Sequence, residues 1–110
     1  MREPTFLVLT ALAGEPRHGY AVIEDVAAMT GGRVRLRAGT LYAALDRLRT
    51  DGLIEVDREE VVQSRLRRYY RLTAAGEQSL AAETGRLRTQ AAIAAERLRR
   101  RGITFGGATA

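Results

Sequence analysis

The sequence predicts an α+β, mainly α fold: a winged helix-turn-helix followed by a long C-terminal dimerisation helix. Three observations support this prediction. Residues 38–54 pass from a short helix through a glycine directly into a strand. Two strand-like runs, at 53–57 and 67–72, flank a largely polar tip at 58–66, which is the pattern of a β-hairpin wing. From residue 73, a helix of roughly 28 residues would be about 40 Å long, more than so small a domain covers with its own core.

The first two helices are predicted from apolar runs bounded by proline and glycine. Pro4 suits a first helical turn, and apolar residues then surround the helix until Gly14 ends it. The second helix should run from about residue 18 to residue 29. Its expected inward-facing residues are Tyr20, Ile23, Val26 and Ala27. Residues 34–36 alternate in polarity and suggest a short strand.

The third helix has one apolar face and one free face. Leu41, Leu45 and Leu48 recur at helical spacing and form the buried stripe. The side that is free to enter a groove carries Thr40, Ala43, Asp46, Arg47 and Thr50. Gly52 provides the left-handed residue at which the helix ends.

The last helix is predicted to begin after Thr73, an N-cap residue, and to end near Arg101. Apolar or small residues alternate four and three positions apart along it, and we call this set the seam: Leu80, Thr84, Leu87, Ala91, Ala94 and Leu98. The spacing predicts that a second chain lies along the helix. The alternative is an amphipathic helix that packs on its own subunit. Residues 103–110 are expected to form a flexible tail.

The charge of the chain indicates an acidic polymer as its partner. All 18 basic side chains are arginines, against 13 acidic ones, and the net charge is +5. Arginine grips phosphate with two hydrogen bonds and also bonds guanine edges, which favours nucleic acid. The alternative cause is a GC-rich coding bias, which replaces lysine by arginine whatever the function.

The composition also excludes several kinds of chemistry. Without cysteine the chain has no disulfide, thiolate catalysis or cysteine-ligated metal, and it has one histidine. No nucleophile with a base, metal cluster or phosphate loop stands out, so we expect no catalytic residues, no metal and no cofactor. The first apolar run is too short to cross a membrane, and we expect a cytoplasmic protein.

Four segments together resemble the PadR family of bacterial transcriptional regulators, in particular its compact subgroup with a single long C-terminal helix. In chain order, beginning at residues 16, 39, 48 and 68, they are PRHGY, GTLY, LRTDGLI and RYYRLTAAG. The resemblance implies a homodimeric repressor, often of a neighbouring gene or its own, with double-stranded DNA containing a pseudo-palindromic operator as its partner. It also implies a small-molecule effector that binds near the dimer interface and releases the DNA. We therefore expect a DNA-binding domain at 1–72 and a dimerisation helix at 73–102.

Residues at the start of the third helix are candidates for contacts with DNA. A helix N-terminus presents free N–H groups, so the backbone around Gly39 and Thr40 can hold a phosphate. The hydroxyls of Thr40 and Tyr42 can reach that phosphate or a base edge. One turn apart, Ala43 can touch a thymine methyl group and Arg47 can bond guanine O6 and N7. The alternatives are core packing for Tyr42 and, for Arg47, a salt bridge to a neighbouring aspartate.

Further candidates lie in the second helix and the wing. Arg65, Arg67 and Arg68 lie within four residues of the wing, where we expect them to contact phosphates. His18 either caps the second helix or contacts a phosphate. Tyr20 either belongs to the core or donates its hydroxyl to a phosphate.

An effector pocket would be lined by Phe6, Leu9, Thr10, Leu87 and Ala91. Because the chain has no tryptophan, a flat aromatic effector stacked between rings is not expected. Two other function classes remain open: a nonspecific architectural DNA-binding protein, and a protein-interaction module that has kept the fold. The first would bind specific and random DNA equally, and the second would bind a protein and no DNA.

Overall fold

The computed structural model describes residues 1–105, which form four helices and three strands. The helices are α1 (Glu3–Gly14), α2 (Gly19–Met29), α3 (Ala38–Thr50) and α4 (Ala74–Arg100). The strands are β1 (Arg17–His18), β2 (Ile54–Val62) and β3 (Arg65–Leu72). The predicted fold class is confirmed, because helices dominate and a small antiparallel sheet forms the wing. Residues 1–80 form one compact unit, and the chain from Ala81 onward forms a second.

The core of the first unit is built from the apolar faces of α1, α2 and α3. The predicted stripe of α3 is confirmed, since Leu41 and Leu45 are fully buried and Leu48 is nearly so. The side chains of α1 are buried on most sides, as the continuous apolar run predicts. The other buried core residues are Leu7, Val8, Leu9, Ala11, Leu12, Val22, Val26, Ile54 and Tyr70. Burial of these apolar side chains is the main stabilising contribution to the unit.

The sheet has the strand order β1-β3-β2, and both pairings are antiparallel. We call β2, β3 and the turn between them the wing. Gln63 and Ser64 form that turn with φ values of 51° and 65°. Positive φ at both central residues is what a two-residue hairpin turn of type I′ requires. The predicted long tip at 58–66 is therefore wrong, because both strands continue through it. Glu59 is paired with Arg68 and Glu60 with Arg67 across the strands, within the stretch whose polarity alone suggested a loop.

The predicted strand at 34–36 is also wrong, and a strand that was not predicted lies at residues 17–18. The N–H of Val34 donates a hydrogen bond to the hydroxyl oxygen of Thr30 at 3.0 Å, and the Val34 side chain packs, partly buried, against the core. β1 exists because β3 provides a partner for it, with Arg17 opposite Tyr70. Residues 17 and 18 pair with residues more than 50 positions later in the chain, so the sequence around this two-residue strand carries no pattern that predicts it.

The start of α4 is held by Thr73, which confirms the predicted N-cap. Its hydroxyl accepts a hydrogen bond from the N–H of Gly76 at 3.1 Å and donates one to the carbonyl of Gly52 at 2.6 Å. Gly52 has the predicted left-handed conformation, with φ 76°.

Of the predicted tail at 103–110, residues 106–110 lie outside the described part of the chain. None of the helices within residues 1–105 has the length and hydropathy needed to span a membrane.

Candidate nucleic-acid interface

A groove of about 640 Å³ lies between the N-terminus of α2, one side of α3 and the wing. Six of the ten residues predicted to contact DNA line it: His18, Tyr20, Tyr42, Arg65, Arg67 and Arg68. The other four are exposed at the start and on the free face of α3, outside this lining: Gly39, Thr40, Ala43 and Arg47. The fold therefore brings together residues from segments that are distant in sequence.

Two tyrosines form the aromatic part of the groove. Tyr20 is 66% exposed and Tyr42 is 44% exposed, so the core alternative is wrong for both. The hydroxyl of Tyr42 lies directly over Gly19, where a β-carbon would overlap it. Gly19 is buried, and its lack of a side chain leaves the space that the ring of Tyr42 occupies. Because both rings are exposed, the hydroxyls of Tyr20 and Tyr42 are available as hydrogen-bond donors.

His18 is the N-cap residue of α2. Its Nδ1 accepts a hydrogen bond from the N–H of Ala21 at 3.3 Å, and its ring meets that of Tyr69 edge-on at 5.3 Å. Because Nδ1 accepts, the proton of the neutral ring is on Nε2, where it is free to donate. Partial burial lowers the pKa of His18, and the positive charge of Arg67 lowers it further. The hydrogen bond from the N–H of Ala21 therefore supports the interpretation of His18 as the cap of α2.

The lowered pKa of His18 predicts a pH dependence of stability. The unfolded chain binds the proton first, near the usual pKa of 6.5, so the free energy of unfolding should fall as the pH drops below that value and through the folded-state pKa. His18→Asn keeps a capping side chain that does not titrate, and should remove this part of the dependence. Urea unfolding at several pH values between about 5 and 8 measures the free energy of unfolding of wild type and of His18→Asn. Identical pH profiles for the two would contradict the prediction.

The wing carries carboxylates beside most of its arginines. Arg71 bonds Glu55 at 2.9 Å and Asp57 at 3.2 Å, and Arg58 also bonds Asp57, at 3.0 Å. The further pairs of the wing are Arg58 with Glu60 at 2.9 Å and Arg68 with Glu59 at 2.8 Å. Within residues 1–105, neither Arg65 nor Arg67 takes part in a salt bridge. The carboxylate opposite Arg67 in the register, Glu60, is bonded to Arg58 instead, so the guanidinium groups of Arg65 and Arg67 keep their hydrogen-bond donors for an anion.

Arg47 lies exposed on α3 and forms no salt bridge in the part of the chain that the structure describes. The alternative of a bridge to a neighbouring aspartate is therefore not seen. Ala43, one turn earlier, is exposed as well. The two side chains present a cation and a methyl group on the same side of the helix, as contact with base edges requires.

Several groove residues were not among the predicted ones. Gly19, Asp46 and Gln63 all line the groove. Gly19 stands in the second-helix segment that resembles the PadR family, yet nothing local shows which side chain lies over it. Gln63 gave no signal, because left-handed hairpin turns usually contain asparagine or glycine.

The predicted effector pocket needs one correction. Leu9 is fully buried inside the core, so it cannot line a pocket that a ligand enters from solvent. Phe6 and Thr10 are half-buried, and the hydroxyl of Thr10 donates to the carbonyl of Phe6 at 2.7 Å. Leu87 and Ala91 are exposed on α4.

Comparison with known proteins gives matches along most of the chain. The model of the transcriptional regulator PadR-like family matches residues 8–82. A transcriptional regulator of Mycobacterium tuberculosis is 42% identical over 64 residues, which are 58% of this chain and 46% of that protein. An uncharacterized protein of Lysinibacillus sphaericus is 29% identical over 70 residues, 64% of each. The chain thus aligns with less than two thirds of the length of these relatives.

Solved structures show the same fold. A PadR family transcription regulator from Clostridium difficile matches with a TM-score of 0.71 at 23% identity, over 86% of this chain and 96% of the other. PadR of Bacillus subtilis, solved in complex with operator DNA, matches with a TM-score of 0.68 at 21% identity, over 76% of this chain and 47% of that one. Since the family model covers α2, α3, the wing and most of α1, the chain belongs to the PadR-like family of transcriptional regulators.

Proposed function

We propose that this protein is a sequence-specific DNA-binding regulator that represses transcription as a homodimer. The observation that carries the proposal is the exposed face of α3, where Arg47 has no ion pair among residues 1–105, beside a groove that contains Arg65 and Arg67 of the wing. Such an arrangement lets a helix enter the major groove while neighbouring cations hold the backbone. The operator complex of Bacillus subtilis PadR supports DNA as the partner.

The proposed contacts divide into two kinds. Arg47 and Ala43 contact base edges and provide sequence preference. The start of α3, at Gly39 and Thr40, holds a phosphate with free N–H groups. Further contacts with the DNA backbone come from polar and basic side chains of the groove: His18, Tyr20, Tyr42, Arg65 and Arg67. Backbone contacts set position and affinity without distinguishing sequences.

The dimer is proposed to form through α4. Seam residues Leu87 and Ala91 are exposed in the second unit, while Leu80 is partly buried against the core of the first. Two copies joined there would bind a two-fold operator with half-sites about one helical turn apart. The domain limits at 72 and 102 belong to this proposal, as do location in the cytoplasm and release of DNA by a small molecule, which the family resemblance supports.

A fluorescence titration at roughly physiological salt tests the central proposal. Labelled duplexes from the region upstream of the gene and of its neighbours are compared with random duplexes of equal length. We expect at least one upstream duplex to bind more tightly than all random ones. Equal binding to every duplex would contradict sequence specificity and favour the architectural alternative, and a stable complex with a protein but no DNA binding would favour the interaction module.

Substitution of two arginines should separate the two kinds of contact. Arg47→Ala should reduce the preference at one base pair per half-site by about 1 to 3 kcal/mol, because it removes a bidentate contact with guanine. Arg67→Ala should weaken binding to all duplexes and reduce the salt slope by about one, because it removes a phosphate contact. Titrations against operator variants at several salt concentrations measure both effects. If the two variants behave alike, the division of contacts is wrong.

A further inference from the structure

One groove arginine differs from the other two in its neighbours. The Nε of Arg68 donates to a carboxylate oxygen of Glu59 at 2.8 Å, and the two residues are direct partners in the β2–β3 register. This hydrogen bond is the main reason that the pKa of Arg68 is raised, with a smaller contribution from Tyr70. Arg65 and Arg67 form no salt bridge within residues 1–105, although Glu60 lies opposite Arg67 in the same register. The groove therefore has two available guanidinium groups and one that is already paired.

The pair of Glu59 and Arg68 is weak enough for another anion to displace. Both side chains are more than 40% exposed, so water and salt screen their attraction. A phosphate entering the groove would accept the same N–H group of Arg68, but it would also meet the negative charge of Glu59. The carboxylate thus competes for the cation and repels the incoming anion at the same point.

We propose that Glu59 masks Arg68 and thereby limits the affinity of the wing for the DNA backbone. The inference rests on the proposed function, since it takes the groove to be the place where DNA phosphates lie. Arg65 and Arg67 make the backbone contacts of the wing at ordinary salt, and Arg68 joins them when Glu59 releases it. Glu59 is then an affinity-setting residue that itself makes no contact with DNA.

The test compares Glu59→Gln with Glu55→Gln in titrations with a short random-sequence duplex at several salt concentrations. Each variant removes one negative charge from the wing. Glu55 is a matched control because it also pairs with an arginine, Arg71, at 2.9 Å, with both side chains about half exposed and neither in the groove lining. Arg71 additionally keeps its bond to Asp57.

Glu59→Gln should bind the duplex about three- to tenfold more tightly, because the loss of a surface ion pair and of a repelling charge both favour the phosphate. Its salt slope should be steeper by about one, since one more counterion is released. Glu55→Gln should change the affinity by less than about twofold. In Glu59→Gln/Arg68→Gln, the gain should disappear, because no cation is left to unmask.

Two outcomes would overturn the inference: equal gains for Glu59→Gln and Glu55→Gln, or a gain that survives the loss of Arg68. Both are distinguishable from failure of the proposed function. If wild-type protein binds random and upstream duplexes equally, sequence specificity fails while the masking is still measured. If neither wild type nor Glu59→Gln binds any duplex, both proposals fail. Thermal unfolding of each variant checks that the fold is retained.

Discussion

Gly76→Ala should lower the free energy of unfolding by about 3 kcal/mol or more, the largest effect we expect from a single methyl group in this protein. A β-carbon at Gly76 would overlap the carbonyl oxygen of Leu53 and lie 3.0 Å from its carbon. Both partners are backbone, so no side-chain rotation relieves the contact. The same carbonyl already accepts the N–H of Thr73 at 3.1 Å, which holds the strand against the start of α4.

Gly85→Ala provides the matched control in the same helix. Apart from the neighbouring backbone of the helix itself, no described atom lies within 4 Å of the position that its β-carbon would take. Alanine should therefore stabilise the protein by about 1 kcal/mol through helix propensity alone. Urea unfolding measures both variants against wild type. Equal effects of the two substitutions would show that the contact between Leu53 and Gly76 does not constrain the fold.

Leu87→Glu should convert the proposed dimer to a monomer and weaken binding to a two-half-site operator by about 100-fold or more, because the second half-site no longer binds at high effective concentration. Leu87 is 37% exposed and belongs to the seam. A carboxylate buried between two helices without a partner is strongly unfavourable. Sedimentation analysis measures the oligomeric state, and titration with operator DNA measures the affinity.

Thr89→Glu adds the same charge two residues away, on the opposite side of α4 from the seam. It should remain a dimer and keep most of the operator affinity. If Leu87→Glu remains a dimer, or if both variants lose operator affinity equally, the seam is not the dimer interface. Ile93 is more exposed than Leu87, at 47%, and lies outside the seam, beside Thr89 in a shallow groove. If Thr89→Glu alone dissociates the dimer, that groove is the interface.

Much of the fold could be predicted because its signals are local. The three leucines of α3 identify its buried face by spacing alone, and Gly52 and Thr73 mark an end and a beginning by their own backbone and side-chain chemistry. The wing was expected, but its tip was not. Whether the polar residues near Gln63 form a loop or a hairpin depends on partners across the strands.

The sequence predicted which residues belong to the candidate site better than it predicted how they contact one another. His18, Tyr42 and the wing arginines were recognised as residue types suited to phosphate and base contact, and the fold places them in one groove. The approach of Tyr42 to Gly19 was not predictable, because it joins two helices through a residue with no side chain. Of the two alternatives for Tyr20, the core position is wrong, since helical spacing alone does not show where the neighbouring elements end.

Taken by itself, the sequence determined the fold class, the helix faces and the absence of cysteine chemistry, because periodicity, capping and composition act within a few residues. Tertiary structure alone decided which arginines of the wing are paired with carboxylates and which are available. Arg67 and Arg68 are neighbours of the same type, yet β2 places Glu59 within hydrogen-bond distance of Arg68. The reason is physical: the availability of a charge depends on what surrounds it in space, and strand pairing brings together residues that are distant in the chain.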